Sequence, residues 1–129
     1  MDGTKIKVLA IDDQDEILQI LKKNLPRMGP YEVITSLGGR EGLRLAKTAR
    51  PDVILLDVVM PGFSGTEVGE ALQDDPVTEK IPVIFMTGLI RADEIKENAE
   101  GGGGREYLAK PFPMTQVVAK IQKVLGRSS

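Results

Sequence analysis

The chain has 129 residues, 41% of them hydrophobic and 28% charged, which is the size and make-up of one globular domain with a core of its own. Lys and Arg number 17 against 19 Asp and Glu, and a net charge of -2 leaves no basic field to hold nucleic acid directly. With no cysteine and no histidine there are no disulfides, no thiol chemistry and no imidazole base or ligand, so any chemistry falls to carboxylates, hydroxyls, lysine, arginine and backbone.

Met1-Asp2-Gly3-Thr4-Lys5 does not resemble the head of a signal segment, and no run approaches the ~20 apolar residues that a membrane helix needs. A cytoplasmic protein is expected. In chain order, 6–11 reads as a buried strand and 14–25 as a helix with Ile17, Leu18, Leu21 and Leu25 at helical spacing, ended by Pro26, Gly29 and Pro30. A weaker strand follows at 31–35, and Gly38-Gly39 opens a second helix that runs to about Ala49. After the turn Arg50-Pro51-Asp52, the run Val53-Ile54-Leu55-Leu56 is apolar at every position, as in a strand buried on both faces of a parallel sheet. A loop over 61–65 leads to a third helix over 66–73, and 81–86 is another buried strand with Pro82 near its start. A fourth helix is expected over 92–99, a break at the glycines 101–104, a fifth strand over 105–109, and a last helix over 113–125 with Val117, Val118, Ile121, Val124 and Leu125 on one face. Five βα units in series predict an open parallel sheet with helices on both faces. No repeat or linker divides the chain, so residues 1–129 read as one domain.

Ligands of open α/β sheets bind beyond the carboxyl ends of the strands. Strand one is followed by Asp12 and Asp13, strand three by Asp57, strand four by Thr87 and strand five by Lys110. Three carboxylates, a hydroxyl and an ammonium therefore meet at one edge. Carboxylates that close repel until protons or a cation relieve them, and oxygen ligands suit a hard cation such as Mg2+. A free carboxylate oxygen beside that ion is a nucleophile toward phosphorus, and a lysine and a hydroxyl stabilise the charge on the transferred group. Singly, each residue has a plainer reading. Asp13 with Glu16 fits a capping box, Asp57 a turn residue, Thr87-Gly88 a cap or turn, and Lys110 a solvated charge. Pro111 after Lys110 is a candidate cis bond. Together the plain readings require several independent accidents at one edge.

Asp12-Asp13 after strand one, Leu56-Asp57 with Met60-Pro61-Gly62 and Gly65, Thr87 after strand four, and Tyr107 through Lys110-Pro111-Phe112 resemble response regulator receiver domains, over nearly the whole chain and most like the single-domain CheY kind in length. The resemblance implies a flavodoxin-like, doubly wound (βα)5 fold with a five-stranded parallel sheet in the order 2-1-3-4-5. It implies Asp57 as phosphoacceptor, Mg2+ held by Asp12, Asp13, Asp57 and the backbone carbonyl of Val59, Thr87 and Lys110 gripping the phosphoryl group, and Tyr107 as a switch residue that follows Thr87. A sensor histidine kinase or phosphotransfer protein would be the donor. A downstream protein would bind the face of the fourth helix, fifth strand and last helix. The chain departs from the common pattern at Gly88, where a small residue such as alanine is usual, and at glycines 101–104, which replace a tighter turn. Val59 and Leu89 are apolar and offer no side chain to position an attacking water. A dehalogenase-type phosphatase would carry a second aspartate where Val59 stands. A flavin carrier would want a hydroxyl-rich phosphate loop where Asp12-Asp13 stand, and a nucleotide hydrolase a Gly-Lys-Ser or Gly-Lys-Thr loop that the chain lacks. Two binding-class alternatives remain: a receiver-fold adaptor that signals without phosphorylation, and a receiver piece of a longer regulator or hybrid kinase.

Overall fold

A computed structural model describes residues 5–88 and 106–126. The expected fourth helix, the glycines 101–104 and Leu89 lie outside the described residues. The five strands are β1 (Ile6–Ile11), β2 (Tyr31–Ser36), β3 (Val53–Asp57), β4 (Val83–Thr87) and β5 (Glu106–Ala109). The described helices are α1 (Asp15–Asn24), α2 (Gly39–Ala49), α3 (Gly65–Gln73) and a C-terminal helix (Met114–Val124), with a 3-10 turn at Leu25–Arg27. No described helix is long and apolar enough to cross a membrane.

All strand pairs are parallel, and the sheet runs β2-β1-β3-β4-β5, the order the resemblance implied. Its centre explains its sequence. β3 has a neighbour on each edge and helices on each face, so all five of its residues are buried and none of the first four is polar. Side chains alternate between the two faces. Val8, Ala10, Val53, Leu55, Ile84 and Met86 meet Leu18 and Leu21 of α1 and Val117 and Ile121 of the C-terminal helix. Leu9, Ile11, Ile54, Leu56 and Phe85 meet Ala46 of α2 and Val68 and Leu72 of α3.

Element ends differ from the sequence reading by a residue or two, each for a local reason. α1 gives way to the 3-10 turn at Leu25 because Pro26 has no N–H for the carbonyl four residues back. β4 starts at Val83 rather than Ile81, because the Ile81 N–H is taken by Thr78 O at 3.0 Å and Pro82 contributes only its carbonyl, to Ile54 N at 3.0 Å. β3 and β4 each run one residue further than expected and so include Asp57 and Thr87. α1 is N-capped by Gln14 without a side-chain bond, so the Asp13–Glu16 capping box does not form. The capping box is at α3 instead: Glu67 N donates to Ser64 Oγ at 3.2 Å and Ser64 N to Glu67 Oε1 at 3.0 Å.

The loop after β3 returns tightly onto the strand that carries Asp57. Gly65 N donates to Val58 O at 3.0 Å, and a Cβ at position 65 would overlap the Asp57 carbonyl. The loop therefore closes only around glycine. Gly65→Ala is expected to destabilise the fold by about 3 kcal/mol, the upper end of the usual overpacking range. Gly88→Ala, where the added carbon meets nothing within 4 Å, should stay within about 0.5 kcal/mol of wild type. Chemical denaturation of the two variants checks both, and equal losses would contradict the steric reading.

Candidate functional site

The sheet register assembles the site. Ile11 lies opposite Leu56, so the next step along brings Asp12 beside Asp57. Asp57 lies opposite Met86 and Thr87 opposite Ala109, with Lys110 N donating to Thr87 O at 2.9 Å just beyond. Asp12, Asp57, Thr87 and Lys110 thus stand within one or two rungs of each other at the carboxyl rim. Asp13 projects beside them on the loop into α1. The peptide between Lys110 and Pro111 is cis.

One oxygen from each of Asp12, Asp13 and Asp57 lies within 4.8 Å of the others. Asp12 and Asp57 are buried and Asp13 is exposed. Lys110 Nζ lies 2.8 Å from Asp12 Oδ2 and 3.3 Å from Asp57 Oδ1, with its side chain 13% exposed. The contact with Asp12 is an ion pair by distance but lacks hydrogen-bond angles, so Asp12 Oδ2 is a fully buried oxygen without a hydrogen-bond donor. Asp12 Oδ1 accepts from Gln14 N at 2.8 Å, which orients the carboxylate. Three carboxylates against one ammonium leave two negative charges uncompensated when all are ionised. Burial, and next the charge of Asp12, push the Asp57 carboxyl from 3.8 up to about 6, against the pull of Lys110.

An all-oxygen set with a buried oxygen lacking a donor fits a hard divalent cation, and the three aspartates are the residues able to hold it. The residues named from sequence are therefore brought together, with one exception. Tyr107 is half-buried at some remove from the carboxylates, its ring 5.7 Å from that of Phe85 and tilted by 32°. Val59, 54% exposed, lines the cleft of about 580 Å³ that opens on Asp57, Thr87 and Lys110. The sequence reading missed Gln14, whose Oε1 accepts from Lys110 Nζ at 2.9 Å. Its position directly after the acidic pair was the available signal.

Parallel sheet order and a charged rim of this composition define a receiver of two-component signalling. Residues 8–122 match the response regulator receiver domain, and the chain belongs to that family. It is 36% identical to the alkaline phosphatase synthesis transcriptional regulatory protein PhoP of Bacillus subtilis, over 95% of this chain and 49% of that protein. It is 34% identical to the response regulator PleD of Caulobacter vibrioides, over 92% of this chain and 26% of that one. The chain thus spans about half the length, or less, of these curated relatives. Among solved structures, the Vibrio cholerae chemotaxis protein CheY4 superposes with a TM-score of 0.81 at 34% identity, covering 95% of this chain and 100% of that one. The receiver domain of the sensor histidine kinase PA1611 of Pseudomonas aeruginosa, which holds a magnesium ion in its active site cleft, does so with 0.80 at 25%, covering 95% and 99%.

The raised Asp57 pKa has a pH signature. Folded Asp57 holds its proton up to about pH 6 while the unfolded chain releases it near 3.8, so the stability it gives is full below 3.8 and lost as pH rises through 6. In chelator, Asp57→Asn is expected to melt above wild type at neutral pH, with the gap closing toward pH 4. Adding Mg2+ should raise the wild-type melting temperature and the Asn variant's less. Thermal melts across pH with and without the ion check both; a gap that widens in acid contradicts the assignment.

Proposed function

We propose that this receiver accepts a phosphoryl group on Asp57, in a reaction that needs Mg2+ held by Asp12, Asp13, Asp57 and the backbone carbonyl of Val59. The observation that carries the reading is the rim itself: a nucleophilic carboxylate, two further carboxylates and an ammonium within ion-pair distance, open to a cleft. The ion, when bound, neutralises the crowded carboxylates and the charge on the transferring group. Asp57 offers a carboxylate oxygen to phosphorus. A new O–P bond forms as the donor's P–N bond breaks, and the leaving imidazole of a phosphohistidine keeps the electron pair and takes up a proton. Lys110 supplies a compact charge to the phosphoryl oxygens. Thr87, at the end of β4, supplies a hydroxyl.

The product carries more charge and more acceptor oxygens than Asp57 alone. Thr87 and Lys110 bind it better than they bind the free carboxylate, and that difference is what biases a two-state element. Tyr107 is the switch residue of this reading. Phe85 stands opposite Tyr107 in the register and Thr87 is two residues further along the same strand, so Thr87, Phe85 and Tyr107 share one face of the sheet. The donor is a sensor histidine kinase or phosphotransfer protein. The reader is a protein bound on the face that includes β5 and the C-terminal helix, with no direct nucleic acid contact. The chain works in the cytoplasm as one receiver unit over residues 1–129, a switch that assists its own phosphorylation and dephosphorylation and not a turnover enzyme.

Acetyl phosphate is expected to label the wild-type chain in Mg2+ and not in chelator. Asp57→Asn should abolish the label, and Lys110→Ala should lower it by at least about tenfold. Intact-mass spectrometry reads all three, and undiminished labelling of Asp57→Asn would move the acceptor elsewhere. Because Val59 and Leu89 give no group to orient water, the acyl phosphate should outlast the few seconds seen in a fast-resetting switch, as measured by decay of the mass shift after donor removal.

A further inference from the structure

Gln14 is a neutral group at the rim to which the proposed reaction gives no task. Its backbone is fixed twice, as the N-cap of α1 and as donor to Asp12 Oδ1 at 2.8 Å. Its side chain makes no capping bond. It reaches across the cleft to a residue 96 positions away, where Oε1 accepts from Lys110 Nζ at 2.9 Å. The carboxamide must present its oxygen there, because an ammonium has no lone pair to accept from the amide NH2.

An ammonium has three protons, and this one has three oxygen neighbours: Asp57 Oδ1 at 3.3 Å and Gln14 Oε1 at 2.9 Å accept hydrogen bonds from it, while Asp12 Oδ2 at 2.8 Å makes an ion pair without hydrogen-bond angles. Two are oxygens of buried anions. The third is neutral and exposed. A phosphoryl group approaching Asp57 enters through the cleft that Gln14, Asp57 and Lys110 line and Asp12 does not, so the Lys110 protons it meets there are the two held by Asp57 and Gln14. The easiest to release is the uncharged acceptor, since the other two contacts join opposite charges at buried carboxylates and a carboxamide set loose at the surface is resolvated by water.

We propose that Gln14 is a positioning residue for phosphoryl transfer, a displaceable acceptor whose carboxamide oxygen occupies the Lys110 proton that the incoming phosphoryl oxygen takes over. It steadies the ammonium at the mouth of the cleft without adding a fourth negative charge to the three already there. This rests on Asp57 as the phosphoacceptor. It makes the side chain at position 14 a setting for how readily the site accepts a phosphoryl group, acting through Lys110 and not on the phosphorus. Removing the oxygen frees the Lys110 proton in advance. Replacing the amide by a carboxylate of the same shape traps it in an ion pair.

The test is calorimetric titration of the full chain with beryllium fluoride in Mg2+, a phosphoryl stand-in that needs no turnover, beside labelling by acetyl phosphate. Gln14→Ala is expected to tighten beryllofluoride binding by roughly two- to tenfold, the range of one modest hydrogen bond, and Gln14→Glu to weaken it by at least as much. Gln14→Asn, whose stem is one carbon too short to reach, should copy Gln14→Ala. In acetyl phosphate labelling the shifts should fall on the half-saturating donor concentration more than on the limiting rate. In a Lys110→Ala background, Gln14→Ala should leave the constant unchanged. A shift in the same direction for Ala and Glu, no shift in either, or a Gln14→Ala shift that survives without Lys110 would each overturn the proposal. If the wild-type chain fails to label at Asp57, the phosphoacceptor reading falls first and takes this one with it. If it labels normally while the variants match wild type, only this one falls.

Discussion

The rest of the structure is arranged around one electrostatic conflict, the packing of Asp12 and Asp57 side by side in a buried rim. Two carboxylates within 4.8 Å repel by at least about 3 kcal/mol at an effective dielectric near 20. Burial adds to that cost by withdrawing water from both. The fold cannot relax the pair apart, because their separation is set by the backbone ladder of β1 and β3, in which Ile11 is held against Leu56 one residue earlier. Relief must come from a cation brought to the pair or from a proton. Lys110, delivered by the far end of β5, provides the first and touches both carboxylates. The raised pKa of Asp57 shows that one ammonium does not discharge the debt, since burial and Asp12 together outweigh Lys110. A dication held by the three aspartates would complete the balance. So the arrangement that makes the carboxylates costly is the arrangement that gathers oxygens able to hold a cation and, on the proposed reading, a phosphoryl group.

The alternation of side chains divides the site into two halves on opposite faces of the sheet. Asp12 continues the face of Val8 and Ala10, Asp57 that of Val53 and Leu55, and Lys110 that of Leu108, so all three belong to the α1 side of the sheet. Thr87 continues the face of Phe85 and lies with Tyr107 on the other side. The charged half is fixed by ion pairs and deep burial. The other half joins Thr87 to a half-buried aromatic residue through Phe85 at 5.7 Å. On the proposed reading, a site with its reactive groups on one face and its hydroxyl on the other reports across the sheet, because a shift of Thr87 toward the cleft would open room next to Phe85 and Tyr107 and not next to the carboxylates.

Legibility from sequence tracked how strongly each residue's environment was dictated by local pattern. β1 could be read to the residue because an apolar run ends abruptly at two aspartates. β3 and β4 were read one residue short because Asp57 and Thr87 are polar, and a hydrophobic pattern stops at a polar residue even though the ladder does not. The capping box was assigned to Asp13 and Glu16, which have the right spacing, while the box that forms uses Ser64 and Glu67. Spacing cannot tell a carboxylate free to cap from one committed to the rim. Gln14 escaped for a different reason. Its partner lies 96 residues away, and a neutral amide carries no charge pattern to betray a long-range contact. The rim carboxylates and Lys110 were legible because each sits directly at a strand end, where topology alone decides which residues meet.

On the proposed reading, the same rim favours a state that is kept over a product that is released. Hydrolysing an acyl phosphate quickly requires a group that takes a proton from water beside the phosphorus. The chain has no histidine, and the residue two positions after Asp57 is a valine that is 54% exposed at the cleft. The remaining carboxylates are committed elsewhere. Asp12 is buried with one oxygen on Gln14 N and the other against Lys110, and Asp13 joins the cluster able to bind a cation. Lys110 holds protons to donate and none of its oxygen neighbours faces open water as a base. Among the described residues, Lys110 and Thr87 are thus the groups beside Asp57 able to stabilise added negative charge, while Asp12 and Asp13 are engaged with Lys110 and the cation cluster. On the proposed reading this asymmetry separates a switch from a phosphatase: the groups that favour arrival of the phosphoryl group are present in full, and those that would hasten its departure are missing from the described rim.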